Sequence, residues 1–403
     1  MESRIVGVVA IVVVGIVALT VGILIGHFAI KKPGVQTLQQ RCRTERDPLE
    51  NEAVNRYMSK SEEEACRAIK CDLPYPVSYV AYHLGGASIT VDGRLDEDAW
   101  QETPKIDKFV NILGEDHPAP WYNTTAMLRW DDEFLYIGAR LQEKDVWASR
   151  TRHDTRIWLD NCFEVFVDTD FTTHNYKEWQ INALNTTWDL LLTKPYINEG
   201  TNISAWELAG GSWSVYVDGT VNDATDRDKY WSMEVAMPFS ALVQENIRQS
   251  TPPSDGDQWR INLSRVEYEL EVESGSYRKK ANKTGNFWVW SPQYTAELHL
   301  PERWGFVQFS RGLVGSSPYQ KWPQWPVYSS MMATYDSMRA YAGVNGKVPK
   351  NISELTLPPY VLSHTCSQPP TLKGGDDVWS LEVRPSGGGK VGQIKQDRYI
   401  TFS

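Results

Sequence analysis

A chain of 403 residues is long enough for a full-sized core and more than one structural unit, and its 17 tryptophans exceed what core packing ordinarily uses. A formal net charge of −10, from 41 basic against 51 acidic side chains with no long basic run, excludes the clustered cationic footprint that nucleic acid requires. The seven histidines are scattered, with no H-E-x-x-H pattern and no paired Cys-x-x-Cys, which removes the common zinc-hydrolase and zinc-finger signatures.

From Ile5 to Ile30 the chain reads IVGVVAIVVVGIVALTVGILIGHFAI, 26 residues in which His27 is the one ionisable group. At about 1.5 Å per residue this spans the roughly 30 Å hydrocarbon layer and predicts a single transmembrane anchor. The alternative, a cleaved signal peptide, has a shorter apolar core of about 7–15 residues. Lys31 and Lys32 follow the span while only Arg4 precedes it, which by the positive-inside rule places the body in the cytoplasm. Six Asn-x-Ser/Thr sites, at Asn123, Asn185, Asn202, Asn262, Asn282 and Asn351, oppose that and predict a glycosylated body on the extracellular or lumenal side; the sequon excess is given the greater weight. Cysteine usage fits such a compartment, with Cys42, Cys66, Cys71 and Cys366 expected in disulfides and Cys162 left as the free thiol.

Residues 31–78 follow as a polar stalk and a short helical segment, PLENEAVNRYMSKSEEEACRAIKC, whose cysteines suggest a small stapled hairpin. From residue 79 to 310 the pattern becomes short alternating runs broken by Asp, Gly, Pro and Asn: ASITVDG, TAMLRWDDEFLYIGARL, FEVFVD, YKEWQINAL, YWSMEVAMP, QWRINLSRVEYEL, FWVWSP and WGFVQF. That spacing predicts an all-β, antiparallel β-sandwich. Residues 311–403 read as a linker with Pro318, Pro323 and Pro326, a helix with Met331, Tyr335, Met338 and Tyr341 on one face, and the strands DDVWSLEV and DRYITF, together a small α+β unit.

One stretch departs from a plain strand. In IWLDNCFEVFVDTD, residues 157–170, alternation places Ile157, Leu159, Phe163, Val165 and Val167 on a core face, interrupted by Asn161. The opposite face carries Trp158, Asp160, Cys162, Glu164, Phe166 and Asp168, too polar for a core and too aromatic for water. In YKEWQINAL the residues Glu178, Gln180 and Asn182 share one face. If TDFTTHN turns these two runs into an antiparallel pair, Trp158, Glu164, Gln180 and Asn182 look out from one sheet surface. An aromatic plane with a carboxylate and carboxamides suits a sugar, whose C–H face stacks on an indole and whose hydroxyls take planar donors and acceptors.

The motifs DGRLDEDAW, DDEFLYIGARL, DTRIWLDNCFEVFVD, NYKEWQINALNTTWDL and WVWSPQYTAELHLPERWGFVQFS, in this order over about residues 89–310, resemble the family 9 carbohydrate-binding modules and their DOMON-like relatives. The resemblance implies a sandwich in which Trp158 is one wall of an aromatic clamp around a sugar, and Glu164 and Asn182 are polar ligand contacts. Gln180 takes a place where sugar-binding members can carry arginine, and Leu298 takes the place of the second clamp tryptophan. His299, Trp304 and Gly305 fall in an H-x-P-E-R-W-G pattern that the resemblance assigns to the fold. The function implied is carbohydrate binding by a membrane-held module, within carbohydrate catabolism.

Other readings rest on the residues themselves. Hydrolysis of an O-glycosyl bond uses two carboxyls about 5–9.5 Å apart, and Asp160 and Glu164 on one strand would stand about 14 Å apart, leaving Glu178 across the strands as the one rescue. Haem held between a Met and a His, as in some DOMON-like sandwiches, would draw on Met127, His153 or His174. Asp168 and Asp170 flank a turn and are calcium candidates, although two acids are few for that ion and turn capping is the simpler role. A protein-interaction ectodomain would show the same fold without a glycan signal.

Overall fold

The structure, a computed structural model, describes residues 71, 73–247, 251–375 and 378–403. The expected anchor Ile5–Ile30, the stalk, and Cys42 and Cys66 lie outside the described residues, among which no helix is long and apolar enough to cross a membrane.

The strands are β1 (Ser78–His83), β2 (Val110–Asn111), β3 (Thr124–Trp130), β4 (Phe134–Gln142), β5 (Cys162–Asp168), β6 (Tyr176–Asn182), β7 (Thr187–Leu192), β8 (Asn202–Ile203), β9 (Ser212–Asp218) and β10 (Tyr230–Pro238). They continue with β11 (Gln258–Glu267), β12 (Leu270–Glu273), β13 (Ser276–Lys279), β14 (Asn286–Val289), β15 (Gly305–Ser310), β16 (Thr371–Gly374), β17 (Trp379–Val383), β18 (Gly392–Lys395) and β19 (Ile400–Phe402). The main path runs β8-β7-β6-β5-β11-β15-β1-β3-β4-β10-β9. At β11 it divides, because the edge of that strand facing away from β5 pairs first with β15 and then with β14, which in turn pairs β2. The sheet thereby curls on itself, and the inner faces of both halves meet in one core that includes Leu128, Ile137, Phe163, Val165, Trp179, Val235, Leu263 and Phe309.

Three readings of the sequence need correction. The sandwich is not wholly antiparallel: β1 runs parallel to both neighbours, β15 and β3. Hydrophobic period specifies which face of a strand is buried and carries no information about the direction of its partner. ASITVDG forms no strand. Its last residues are instead captured by Glu234 on β10, whose Oε2 accepts from Asp92 N at 2.9 Å and Gly93 N at 2.7 Å, while Trp100 Nε1 donates to Oε1 at 2.7 Å. Gly93 sits at φ +89°, and a Cβ there would stand 2.5 Å from the backbone of Tyr216, so DGRLDEDAW is a packing motif. Third, Cys71 does not staple a local hairpin but bonds Cys366, 295 residues away; Cys162 is free and buried, as expected.

After β15 the chain forms α1 (Trp325–Asn345) and the four-stranded sheet β16-β17-β18-β19. The helix buries Met331, Tyr335 and Met338 against Trp379, Leu381 and Ile394, and the cluster extends to Phe171 and Phe306 of the sandwich. A buried ionic link adds to this apolar contact. Arg398 pairs with Glu302, donates from Nε to Asn198 Oδ1 at 2.9 Å, and lies 3.4 Å from Asp336 on α1. The closing α+β unit is therefore fastened to the sandwich by side chains that would be costly to separate.

Candidate functional site

The expected antiparallel pair exists. β5 and β6 align with Glu164 opposite Gln180, Cys162 opposite Asn182 and Phe166 opposite Glu178. Two further strands extend the row, since Trp188 on β7 stands opposite Gln180 and Ser264 on β11 opposite Glu164. One face of these strands, with Phe163, Val165, Trp179 and Ile181, enters the main core. The other therefore displays Trp188, Gln180, Glu164 and Ser264 as a transverse line across four strands.

That line does not look out into solvent as alternation alone suggests. Glu164 and Gln180 are each 1% exposed, because a second layer covers them. On one side lies a cluster of Phe166, Tyr176, Leu190, Leu192 and Trp304, and on the other a cluster of Ile157, Cys162, Val266 and Tyr268. Half-buried Leu298 packs on the first, half-buried Trp158 on the second, and Trp188 on both. Between them lies a buried polar row, a trench roofed by these side chains. In it Glu164 Oε2, Gln180 Oε1 and Ser264 Oγ are buried without a hydrogen bond.

The electrostatics follow from that burial. Glu164 is pushed up to about 8 by desolvation and then by the nearby Glu178 carboxyl. The Ser264 hydroxyl is close enough to favour the ionised form of Glu164 slightly, though without hydrogen-bond geometry. Glu178 is itself raised to about 7 by burial, opposed by the bond that Gln180 Nε2 donates to its Oε1 at 2.5 Å. His299 Nδ1 lies 3.1 Å from the Tyr176 hydroxyl and Nε2 3.8 Å from Glu178 Oε2, but burial lowers this imidazole to about 3 and keeps it neutral. Among the described residues, the trench thus holds two interacting carboxyls and no cation to balance them.

Two of the expected contacts are held differently from what alternation suggests. Trp158 is not on the strand: Ile157–Leu159 is a 3₁₀ turn, and the strand begins only at Cys162. Asp160 ends the alternation by accepting from Ser149 N at 2.8 Å, Ser149 Oγ at 2.7 Å and Arg150 N at 2.7 Å. Asn161, the apparent interruption of the core face, lies outside the strand and bonds Glu267 and the amide of Tyr268. Asn182, expected as a ligand contact, donates to Arg150 O and Asp160 Oδ2 and accepts from Leu184 N and Thr186 N. Its amide is fully used, so it braces the turn that carries Trp158.

The Leu298 carbonyl accepts from Trp304 Nε1 at 3.0 Å. Trp188, which sequence reasoning passed over, supplies a second aromatic beside the trench. The signal available was the turn after Asn182, whose amide bonds Thr186 O and so brings TWDLLL back alongside β6. Gly305 follows Trp304 because a Cβ would stand 2.5 Å from the Trp290 ring, which accounts for the W-G pair as packing.

Asp168 and Asp170 are turn caps. Asp168 accepts from the amides of Asp170, Phe171 and Thr173, and Asp170 from those of Thr172 and Ile247, so both spend their oxygens on the backbone. Of the haem candidates, Met127 is buried on β3, His174 Nδ1 faces Thr172 O at 3.2 Å, and His153 faces Thr187 and three carboxylates. Among the sequons, Asn123, Asn185, Asn202, Asn282 and Asn351 are exposed. Asn262 is a correction: on β11 it has no exposed surface and its amide bonds the backbone of Ser291 and Leu263, so it is no glycan acceptor in the folded chain.

Residues 91–262 match a family described as carbohydrate family 9 binding domain-like. No curated protein matches the chain. Among solved structures, a "putative carbohydrate-binding protein" from Bacteroides uniformis is similar at 16% identity and a TM-score of 0.43, over 58% of this chain and 100% of its own. A family 9 carbohydrate-binding module from Caldicellulosiruptor kristjanssonii in complex with cellotriose is similar at 12% identity and a TM-score of 0.38, over 60% of this chain and 97% of its own. The same organism's module with glucose gives 14% identity and a TM-score of 0.38, over 60% and 100%.

Proposed function

We propose that the chain binds carbohydrate in the trench formed by Glu164, Gln180 and Ser264, between Trp158 and Trp188. The observation that carries this is the transverse line of three in-register side chains, each with a buried polar atom lacking a hydrogen bond. Such atoms cost about 1–3 kcal/mol each when left unmade, and a sugar's vicinal hydroxyls are spaced to satisfy neighbouring ones together. The match of residues 91–262 to a carbohydrate-binding family supports the same reading. Asn182 and Asp160 act in it as positioning residues for the Trp158 turn. Because Glu164 is 1% exposed, a ligand reaches it only after the half-buried rim of Trp158, Trp188 and Leu298 parts, and that opening subtracts from the affinity observed.

In this reading Ile5–Ile30 anchors the chain in a membrane and the glycosylated body faces the extracellular or lumenal side. A glycan array probed with the full-length chain tests the binding. Retention of a glycan that is lost with a Gln180→Ala, Ser264→Ala double variant supports the trench, whereas a wild type retaining no glycan removes the reading. Chromatography of the retained glycan covers the hydrolase alternative, since shortened products would make Glu164 and Glu178 a catalytic pair.

A further inference from the structure

On the opposite face of β7 from Trp188, a second cluster converges on one nitrogen. His153 Nε2 lies 3.5 Å from Asp154 Oδ1, 3.5 Å from Asp189 Oδ1 and 3.1 Å from Glu207 Oε2. The other ring nitrogen, Nδ1, stands 3.0 Å from the carbonyl oxygen of Thr187. A carbonyl can only accept, so Nδ1 donates to it; Nε2 donates to the acids while the ring is protonated, and offers its lone pair to a cation that displaces that proton. This is the arrangement by which a second partner orients a metal-ligating histidine.

Asp189 gives the independent sign of a missing partner. It is 1% exposed; its Oδ2 accepts from Leu208 N at 2.6 Å, while Oδ1 has no hydrogen bond and points into the cluster. One ligand atom from each of His153, Asp154 and Asp189 lies within 4.8 Å of the others. Four ligands at about 2.0–2.1 Å from a tetrahedral ion stand roughly 3.3–3.4 Å apart, close to the spacings from His153 Nε2. Calcium would want six to eight oxygens at longer range and gains nothing from an imidazole.

We propose that His153 Nε2, Asp154 and Asp189 form a site for a zinc-type divalent ion, with the exposed Glu207 side chain, which lies beside His153 Nε2 but outside that converging group, swinging in as the fourth ligand when the ion binds. His153 and Asp154 lie in the segment leading to the Trp158 turn, Asp189 on β7 and Glu207 beyond β8, so the ion would clip three separate segments together. His153 is exposed, which leaves the ion a path to the site.

The test uses the full-length chain stripped with chelator and titrated with Zn²⁺, reading stoichiometry by mass spectrometry, affinity by calorimetry and melting temperature in parallel. One equivalent bound, a zinc-dependent rise in melting temperature, and at least a tenfold loss of affinity in both His153→Gln and Asp189→Asn are expected. Asp189→Asn keeps its shape; should it fail to fold, His153→Gln, at an exposed position, decides alone. An absent zinc response in the wild type, or an affinity unchanged in His153→Gln, overturns the site and leaves an ordinary ion-pair cluster. Equal stabilisation by Ca²⁺ that survives His153→Gln overturns the zinc assignment.

Discussion

Glu164→Gln separates the cost of the trench from its use. The carboxyl titrates at about 8 in the folded chain against 4.5 ordinarily, so between those values it is protonated when folded and ionised when unfolded. The unfolded chain then binds fewer protons, and stability falls as pH rises across that window. One pKa unit corresponds to about 1.4 kcal/mol, which gives a ceiling of about 4 kcal/mol lost by pH 8 through this residue, and less where water enters or Glu178 takes part of the proton. Glutamine keeps the shape and cannot ionise, so the stability it gains over the wild type from this titration should be below about 1 kcal/mol at pH 5 and should grow by roughly a further 2–4 kcal/mol by pH 8. The assay is urea unfolding followed by tryptophan fluorescence at pH 5, 6.5 and 8, with sugar affinity measured beside it. A stability gain at pH 8 accompanied by roughly tenfold weaker binding at that pH is the expected pair, because only there does the wild-type carboxyl ionise and become the charge-assisted acceptor that glutamine cannot supply. Stability curves for the two proteins that run parallel from pH 5 to 8 would refute the burial argument.

Trp158→Ala and Trp188→Ala should each weaken sugar binding by about 1–3 kcal/mol, the range for bases stacked on aromatic side chains, with a smaller loss of stability than a fully buried indole would give because both are only half-buried. A loss of about 3–5 kcal/mol in stability without a selective binding loss would make them core residues instead. Asn182→Ala should destabilise by about 3 kcal/mol, since the amides of Leu184 and Thr186 lose their buried acceptor; a cost below about 1 kcal/mol would disprove its bracing role. Expression in eukaryotic cells followed by amidase digestion should shift the mobility of the wild type and, equally, of Asn262→Gln. An unshifted band, with a C-terminus reachable from the cytoplasm, would reverse the proposed orientation.

The pairing of β5 with β6 was legible because alternation and a turn-forming stretch are local properties, and so was the row that joins Glu164 to Gln180. What covers that row was not legible. Leu298, His299 and Trp304 come from more than 100 residues downstream, and no period in FEVFVD announces them. The pattern puts Trp158 on the strand, since Ile157 and Leu159 alternate as well in a 3₁₀ turn as in a strand; the backbone bonds Leu159 N to Arg156 O and Asp160 N to Ile157 O, with the amides of residues 149 and 150 donating to Asp160, distinguish the two. Trp188 and Asp189 lie in TWDLLL, a short apolar run without alternation, and that strand's partner decided both candidate sites. The Cys71–Cys366 bond could not be read either, because spacing does not specify connectivity.

That bond also decides how the molecule would carry tension. A pull entering ahead of residue 71 and resisted beyond Cys366, in the sheet of β16 to β19, passes through the sulfurs, and the backbone between the two cysteines is bypassed. A pull resisted by a ligand held in the trench takes another route, through β1, whose residues Ser78–Tyr82 are paired in parallel with Phe306–Ser310 of β15. Drawn along its own axis, β1 loads those backbone bonds in shear, all together, instead of peeling them one after another. The parallel strand and the long-range disulfide would thus make the chain a tether whose strength depends on which of its parts is held.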